Sequence, residues 1–406
     1  MRTNHIMNLR PKYLIPAAAA IAILWLASVA APQAAPQQKP KKAEEVFKNI
    51  QVLKGTSVDD FLGTMGIMSA AVGFDCSECH VNAGTDKVDW AADTPKKVTA
   101  RMMVLMVAAI NRQNFGGRQN VTCWTCHHGR DHPATTPPFE AVYGPGSQEM
   151  DDVLTQMPGQ PSAGEILEKY IQALGGAERL NSLTSYVATG TSFGFGGFGG
   201  DGQVRIFAKS PDKRTTLIEF KAATGRGDSI RSYNGRAGWI KTPLAVLAEY
   251  ELTGTELDGA RVDAQLSFPG QIKQALSNLR VSSPATISDL PGPSAQTSGD
   301  PNKGIGQDRV VNVVQGTGPN GLLTTLYFDK VSGLLLRMVR YGRTPIGRVP
   351  TQIDFADYRD VGGIKFPFRL ILAWLDGRDA IQLNQIQTNV PIDEAKFGNP
   401  AFVKGQ

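Results

Sequence analysis

The chain has 406 residues, of which 41% are hydrophobic and 19% are charged. This composition supports packed cores and excludes both a chain that is disordered overall and a polytopic membrane protein, and the length suggests two or three domains. The formal net charge of +5 gives no electrostatic support for a nucleic-acid partner, because Arg2, Arg10 and Lys12 at the N-terminus carry three of these charges.

Residues 1–30 are predicted to form a secretory signal peptide. A basic start is followed by an apolar stretch, Leu14 to Ala31, which ends in small residues that suit signal peptidase. An uncleaved membrane anchor is the alternative, since this stretch could just span a bilayer. In both cases we expect an exported, periplasmic protein, free or membrane-associated. Residues 31–42 are rich in proline, glutamine and lysine and are predicted to be a tether.

All four cysteines belong to two copies of one motif, Cys76-Ser-Glu-Cys79-His80 and Cys123-Trp-Thr-Cys126-His127. This motif is the attachment signature of c-type haem. Its two thiols add to the two vinyl groups of one porphyrin, and the adjacent histidine can then bind the iron. Because the chain has only five histidines, two CxxC pairs both followed by histidine are unexpected by chance. We therefore predict two covalently bound haem c groups, with His80 and His127 as iron ligands.

Three other interpretations explain the motifs less well. A zinc ribbon needs CxxC pairs about 15–20 residues apart and needs no histidines, whereas Cys79 and Cys123 are 44 positions apart. Disulfides within each CxxC would be strained and would also leave the histidines unexplained. A thioredoxin-like redox pair follows a strand, whereas the residues before both motifs have the pattern of helices.

A helix that carries methionines is predicted before each motif. The first begins with a capping pattern at Ser57 and the second with a cap and a proline at Asp93-Thr94-Pro95. Methionine on an apolar helix face is often only a core residue. Five of the ten methionines nevertheless lie on these two helices: Met65, Met68, Met102, Met103 and Met106. We expect a thioether as the sixth iron ligand, which favours electron transfer over oxygen chemistry.

The segment from Gln51 to Gly129 resembles the cytochrome subunit of photosynthetic reaction centres. The resemblance runs through QVLKGTSVDDFLGTM, CSECH, ARMMVLMVAAIN and VTCWTCHHG. It implies that each haem takes its sixth ligand from a methionine on the preceding helix, and the matching positions are Met65 and Met103. Full-length members of that family carry four haems, whereas this chain has two sites. A dihaem respiratory carrier is therefore as good an interpretation as a subunit of a photosynthetic complex.

Residues 43–134 are thus predicted to be a dihaem cytochrome domain. His128 and His132 follow the second motif, and contact with a haem propionate or with solvent is a commoner role for such residues than iron binding. Residues 135–161, rich in proline, glycine and polar residues, are predicted to be a linker.

Residues 162–406 are predicted to be a mainly β domain. It begins with a helix, GEILEKYIQALGGAERL, that stops at Gly175-Gly176. After Ser185, eleven short alternating segments separated by glycine, asparagine and aspartate predict an antiparallel sheet. The glycine-aromatic segment from Phe193 to Gly202 is predicted to be a hairpin tip, since it lacks the lysine of a phosphate-binding loop.

The order of helix, strands and turns from about Gly164 to Phe402 resembles the half-barrel of periplasmic lipoprotein carriers. The segments SYNGRAGWI, YFDKVSGLLLRMVRYG and QIDFADYRDVGGIKFPFRL carry this resemblance. It implies a strongly curved sheet around an apolar hollow that could take an apolar ligand. The expected fold is therefore multidomain: a mostly α c-type cytochrome domain followed by an antiparallel β half-barrel with a helix (α+β).

These features predict an exported dihaem c-type cytochrome that carries electrons between a membrane redox complex, reaction-centre-like or respiratory, and another redox protein. We expect no enzymatic activity and no catalytic residues, because the β domain contains no catalytic motif. Two alternatives remain open. One is a haem enzyme such as a peroxidase with one open iron, and the other is a carrier of lipid or lipoprotein with accessory haems.

Overall fold

The computed structural model describes residues 40–133, 135–136, 156–194, 201–220, 227–243, 246–288, 308–375 and 377–403. The predicted signal peptide, most of the tether, most of the linker and the centre of the glycine-aromatic segment lie outside these residues. The described residues belong to one compact unit, residues 39–406. None of the helices that they form combines the length and the hydropathy needed to span a bilayer.

The N-terminal part is helical, as predicted. Its helices are α1 (Ala43–Val46), α2 (Val58–Val72), α3 (Pro95–Phe115) and α4 (Cys123–His127), with a 3₁₀ turn at Cys76–Glu78. The predicted caps are present. The Ser57 side chain accepts a hydrogen bond from the amide of Asp60, and the Thr94 side chain accepts one from the amide of Lys97. Both long helices end at a glycine in the left-handed conformation, Gly73 (φ 71°) and Gly116 (φ 61°).

The C-terminal part is an antiparallel sheet that packs against helices. The helices are α5 (Ala163–Leu174), α6 (Ala177–Asn181), α7 (Gly254–Leu266), α8 (Ile272–Ala275) and α9 (Pro400–Val403). The strands are β1 (Ser185–Phe193), β2 (Asp201–Lys209), β3 (Lys213–Phe220), β4 (Ser229–Asn234), β5 (Gly238–Lys241), β6 (Glu249–Glu251), β7 (Ser277–Val281), β8 (Ala285–Ile287), β9 (Arg309–Thr317), β10 (Leu323–Asp329), β11 (Leu335–Thr344), β12 (Gly347–Val361), β13 (Ile364–Trp374) and β14 (Gly377–Thr388).

The strand order is β6-β5-β4-β3-β2-β1-β14-β13-β12-β11-β10-β9-β7, and β8 also pairs with β9. The first strand pairs with the last, Tyr186 opposite Thr388, so the two ends of the domain meet in the middle of the sheet. A bulge at Thr189/Gly190 bends this pair. A side chain at Gly190 would come within 2.2 Å of the Gln382 carbonyl oxygen, so glycine is required there. In the described residues the sheet is open, with different strands at its two edges.

The predicted fold class is confirmed: a helical N-terminal region is followed by a large open antiparallel sheet with a helix. All eleven predicted segments lie on strands of this sheet. Helix α5 buries the apolar face that its periodicity predicted, with Tyr170 packed 5.2 Å from the ring of Phe328. Three short strands, β6, β7 and β8, and the helices α7 and α8 were not predicted.

The main hydrophobic core lies between the sheet and helices α5, α7 and α8. Every buried member of this core lies between Ile166 and Ile386. A smaller cluster joins the N-terminal helices to the sheet. In it, Ile67 of α2 and Val104 of α3 pack on Ile346, at the tip of the β11–β12 hairpin. At Gly63 the backbone of α2 approaches this hairpin so closely that an added Cβ would lie 3.3 Å from the side chains of Thr344 and Val349.

A buried carboxyl group also joins the two regions. Asp59, at the start of α2, is 5% exposed, and its Oδ2 accepts hydrogen bonds from the backbone amide and, at 2.7 Å, from the hydroxyl of Thr253, the residue before α7. Its Oδ1 is buried without a hydrogen-bond partner in the part of the chain that the structure describes. Burial is the largest influence on this group and raises the pKa of Asp59 to about 7.

We expect Asp59→Asn to stabilise the protein at pH 8. The folded-state pKa of Asp59 is raised above its unfolded value, so its ionisation opposes folding increasingly from about pH 4 to pH 7 and fully above that. Asparagine keeps an oxygen to accept from Thr253 but carries no charge. The variant should gain about 1–3 kcal/mol of unfolding free energy at pH 8, the cost typical of a poorly paired buried group, and much less at pH 4. Urea denaturation at both pH values measures this, and an equal effect at both would contradict the assignment.

Candidate haem sites

The first CxxCH motif forms a single turn. The Asp75 side chain accepts a hydrogen bond from the amide of Ser77 at 2.7 Å and begins the 3₁₀ turn, and the His80 amide then donates to the carbonyl oxygen of Cys76 at 2.9 Å. This local geometry brings the two thiols and the imidazole to one short segment. The thiol of Cys76 is exposed and that of Cys79 is partly buried.

The cap of α3 is tied to this motif. The Thr94 hydroxyl donates to the carbonyl oxygen of Cys79 at 2.9 Å while it caps the helix. The ring of His80 lies 5.0 Å from that of Trp90, edge to face. Burial, with a smaller effect of the Lys97 charge, lowers the pKa of His80, while a weak contact with the Trp90 backbone opposes the shift. This shift favours the neutral imidazole, which is the form that binds a metal.

The second motif forms helix α4. Thr122 and Thr125 cap it reciprocally, with the Thr122 amide donating to the Thr125 hydroxyl at 3.0 Å. The Nδ1 atom of His127 lies 2.9 Å from the carbonyl oxygen of Arg130. Because a carbonyl oxygen only accepts, Nδ1 carries the proton in this contact, and Nε2 keeps its lone pair for a metal.

Asn111 fixes the position of this motif relative to α3. It is buried near the end of α3, and its side-chain amide donates to the carbonyl oxygen of Val121 at 2.7 Å. Its side-chain oxygen accepts hydrogen bonds from the amides of Asn120 and Val121. The loop into Cys123 is therefore held against the helix that carries Met103. The position of Asn111 at the end of the segment ARMMVLMVAAIN gave no sign of this role, because the loop contacts depend on the fold.

The predicted ligands face a common cavity of about 1620 Å³. Its wall includes residues of the first predicted set, Met65, Cys76, Cys79 and His80, and of the second, Met103, Cys123 and His127. Cys126 is exposed on α4 and is not part of this wall.

The structure also separates the candidate methionines. On α3, Met103 is partly buried and faces the cavity, whereas Met102 and Met106 are 55% and 44% exposed and do not line it. On α2, both Met65 and Met68 line the cavity, and Met68 also packs in the hydrophobic cluster around Ile67. Geometry therefore favours Met103 on α3, while on α2 the family resemblance alone distinguishes Met65 from Met68.

His128 and His132, the other two histidines among the described residues, differ in their surroundings. His128 ends α4 in the left-handed conformation (φ 50°), with its ring 5.7 Å from that of Trp124. The side chain of His132 is 91% exposed, and its Nε2 lies 3.7 Å from a carboxylate oxygen of Asp131.

The residues present fit covalently bound haem. Each motif places two thiols on one turn, and each histidine has a ring nitrogen available for iron. The Nδ1 atom of His80 is buried without a well-aligned hydrogen-bond partner in the described residues. A methionine from the preceding helix lies in the wall of the same cavity. This donor set of thiols, imidazoles and thioethers suits haem iron.

Comparison with known proteins supports the N-terminal resemblance. Residues 18–157 match the family model described as photosynthetic reaction centre cytochrome C subunit. The photosynthetic reaction center cytochrome c subunit of Thermochromatium tepidum is 38% identical over 97 residues, which cover 23% of each chain. The subunit of Roseobacter denitrificans is 31% identical over 167 residues, covering 38% of this chain and 44% of that protein. The chain thus spans less than half the length of these curated relatives.

Two solved structures are similar to this chain over about 60% of its length. A LolA superfamily protein from Nitrosomonas europaea is 13% identical, with a TM-score of 0.35, and the match covers 60% of this chain and all of that one. A putative outer membrane lipoprotein-sorting protein domain from Vibrio parahaemolyticus is 12% identical, with a TM-score of 0.35, over 59% of this chain and 97% of that one.

The resemblance predicted from the motifs between Gln51 and Gly129 is therefore confirmed: the N-terminal region of this chain is similar to the cytochrome c subunit of photosynthetic reaction centres.

Proposed function

We propose that this protein is an exported dihaem c-type cytochrome that carries electrons between a membrane redox complex, reaction-centre-like or respiratory, and another redox protein. The observation that carries the proposal is the common cavity wall, which holds all four predicted iron ligands and three of the four cysteines. Haem bound at these motifs supplies reversible one-electron exchange at its iron. Cys76, Cys79, Cys123 and Cys126 would hold the two haems covalently.

The proposed ligands argue for a carrier and against an enzyme. His80 with Met65, and His127 with Met103, would hold the two irons and leave no open position for a substrate. The two CxxCH motifs lie within 52 residues, which allows transfer between the haems. The alternative, a haem enzyme such as a peroxidase, requires that one methionine does not bind.

A haem count and a ligand-binding test check this proposal together. A pyridine haemochrome assay of the exported protein should give two haems c per chain, and the reduced protein should not bind carbon monoxide. One haem per chain would refute the dihaem assignment. Rapid carbon monoxide binding by the native protein would favour the enzyme.

We expect Met103→Leu to lower the reduction potential of one of the two haems. Leucine preserves the packing of α3 but removes the sulfur that stabilises ferrous iron, so that iron should also bind carbon monoxide. A spectroelectrochemical titration measures the two potentials separately. Met106→Leu on the same helix is the matched control, because Met106 is exposed and does not line the cavity. Equal effects of the two variants would show that Met103 is not a ligand.

Met65→Leu and Met68→Leu form the corresponding pair on α2. We expect only Met65→Leu to lower the potential of the other haem, and the opposite result would transfer the ligand role to Met68.

We further propose that residues 162–406 form a separate half-barrel domain that takes an apolar ligand. The cavity extends from the haem motifs into the β domain, where its wall is mostly apolar and includes Leu174, Ile206 and Leu370. This continuity supports a second function, a carrier of lipid or lipoprotein in which the haems are accessory.

The other proposed divisions of the chain are the signal peptide at 1–30, the tether at 31–42, the cytochrome domain at 43–134 and the linker at 135–161.

A further inference from the structure

Helix α7 presents a polar face to the part of the cavity that lies inside the sheet. Glu256 and Asp263 are seven residues apart on this helix, and Ser267 follows four residues later, so the three side chains lie along one face. All three line the cavity. A charged face turned towards a mostly apolar hollow is unusual, since such residues normally face solvent.

Two arginines from the sheet pair with the carboxylates of this face. Arg231 of β4 donates to Glu256 Oε2 at 3.0 Å, and Arg340 of β11 donates to Asp263 Oδ2 at 3.0 Å. The side chains of Arg231 and Glu256 keep 29% and 30% of their surface accessible, and since both residues line the cavity, part of that surface faces it. The side chain of Arg340 is 5% exposed.

The position of Arg340 depends on a glycine of α7. A Cβ atom at Gly259 would lie 1.7 Å from the Nη1 atom of Arg340, so the guanidinium group lies directly against the helix backbone. Some polar atoms of these two ion pairs nevertheless lack hydrogen-bond partners. The Nε atoms of Arg231 and Arg340 and the Oδ1 atom of Asp263 are buried without hydrogen-bond partners among the described residues. Burying a polar atom without a partner destabilises the fold, so the retention of these atoms calls for an explanation.

A third arginine, from the sheet, lies at the C-terminal end of the polar face of α7. Arg214 of β3 lines the cavity and donates to the Ser267 hydroxyl at 2.7 Å and to the Tyr186 hydroxyl at 3.0 Å. Neither partner is charged, and none of the ion pairs among the described residues includes Arg214. The guanidinium group of Arg214 is thus left available for an anion. Asp59 and Asp60, which also line the cavity, lie near Glu256 at the other end of this face.

We propose that this arginine row, Arg214, Arg231 and Arg340, binds the anionic head group of an amphiphile whose hydrocarbon chain occupies the half-barrel. The inference rests on the apolar ligand proposed above and adds the chemistry of its head group. A guanidinium group matches the planar, bidentate geometry of a carboxylate or phosphate. The neighbouring wall, which includes Leu174, Ile206, Ile218, Met338 and Leu370, would cover the hydrocarbon chain.

Titration calorimetry of the full-length, haem-loaded protein tests this with dodecanoate, dodecyl phosphate and dodecanol below their aggregation concentrations. The three share one chain, so their differences measure the head group. We expect both anions to bind at least about tenfold more tightly than dodecanol, as one charge-assisted hydrogen bond would give. The ratio between the two anions distinguishes a carboxylate from a phosphate head group.

Arg214→Met should weaken dodecanoate binding about tenfold and leave dodecanol binding unchanged. Arg205→Met on neighbouring β2 is the matched control, because Arg205 pairs with Glu219 and does not line the cavity. Arg214→Lys keeps the charge and should retain part of the affinity. The haem spectrum and the melting temperature of each variant report whether it is folded.

Two outcomes would overturn the inference in different ways. If dodecanoate and dodecanol bind alike, the arginine row is a structural ion-pair network, while the apolar ligand stands. If none of the three compounds binds, the apolar ligand itself is refuted. Neither result tests the electron-carrier proposal, which the haem count and the reduction potentials test separately.

Discussion

Cys76→Ser combined with Cys79→Ser removes one of the two haems from the exported protein. The two thiols form the covalent bonds to one porphyrin, and serine hydroxyls do not replace thiols in addition to its vinyl groups. Mass spectrometry of the denatured chain should therefore show one haem addition where the native protein shows two. The pyridine haemochrome absorbance per chain should fall by about half.

The second motif provides the matched control. Cys123→Ser with Cys126→Ser should remove the other haem, and all four substitutions together should leave none. Each single substitution retains one thiol and should leave a haem held by one bond. Two haems on the chain after the first double substitution would show that Cys76 and Cys79 are not the attachment site.

The haem motifs could be predicted from sequence because their geometry is local. Asp75 and Thr122 cap the turns that carry them, and each histidine follows its second cysteine directly. The two long helices were predictable for the same reason, since the caps at Ser57 and Thr94 and the terminal glycines are short-range signals.

Helix α7 could not be predicted from its pattern. Periodicity identifies a helix by an apolar face, but the inward face of α7 carries Glu256 and Asp263, whose burial is compensated by arginines from distant strands. Gly259 further weakened the helical signal, yet its lack of a side chain makes room for Arg340. The carboxylates of this unpredicted helix thus pair with two arginines of the proposed head-group site.

The contact between the N-terminal helices and the sheet also could not be predicted from the sequence. Ile67 and Ile346 are far apart in the chain, and nothing near Ile346 in sequence shows that the tip of the β11–β12 hairpin meets α2. For a related reason, neither the sequence pattern nor the structure decides between Met65 and Met68 as the proposed iron ligand. They lie one turn apart on the same face of one helix, so neither spacing nor the cavity wall separates them.

A fragment of residues 160–406 should fold without the cytochrome domain and without haem. The buried members of the main core all lie between Ile166 and Ile386, so the fragment contains that core in full. Its size is also well above that at which a domain is self-sufficient. We expect a soluble protein with a β-type circular dichroism spectrum, cooperative melting and no iron.

The substitution Ile346→Ala tests how strongly the N-terminal helices and the sheet stabilise each other. In the whole chain Ile346 is 2% exposed between α2 and α3, so Ile346→Ala should cost about 2–5 kcal/mol of unfolding free energy. In the fragment the same side chain loses most of its neighbours and faces solvent, so the substitution should have little effect. An insoluble or unfolded fragment, or an equal loss in both proteins, would show that the hairpin and the N-terminal helices share an indispensable core. The boundary proposed at residue 162 would then have to be abandoned, because the half-barrel would complete its fold only on the cytochrome helices.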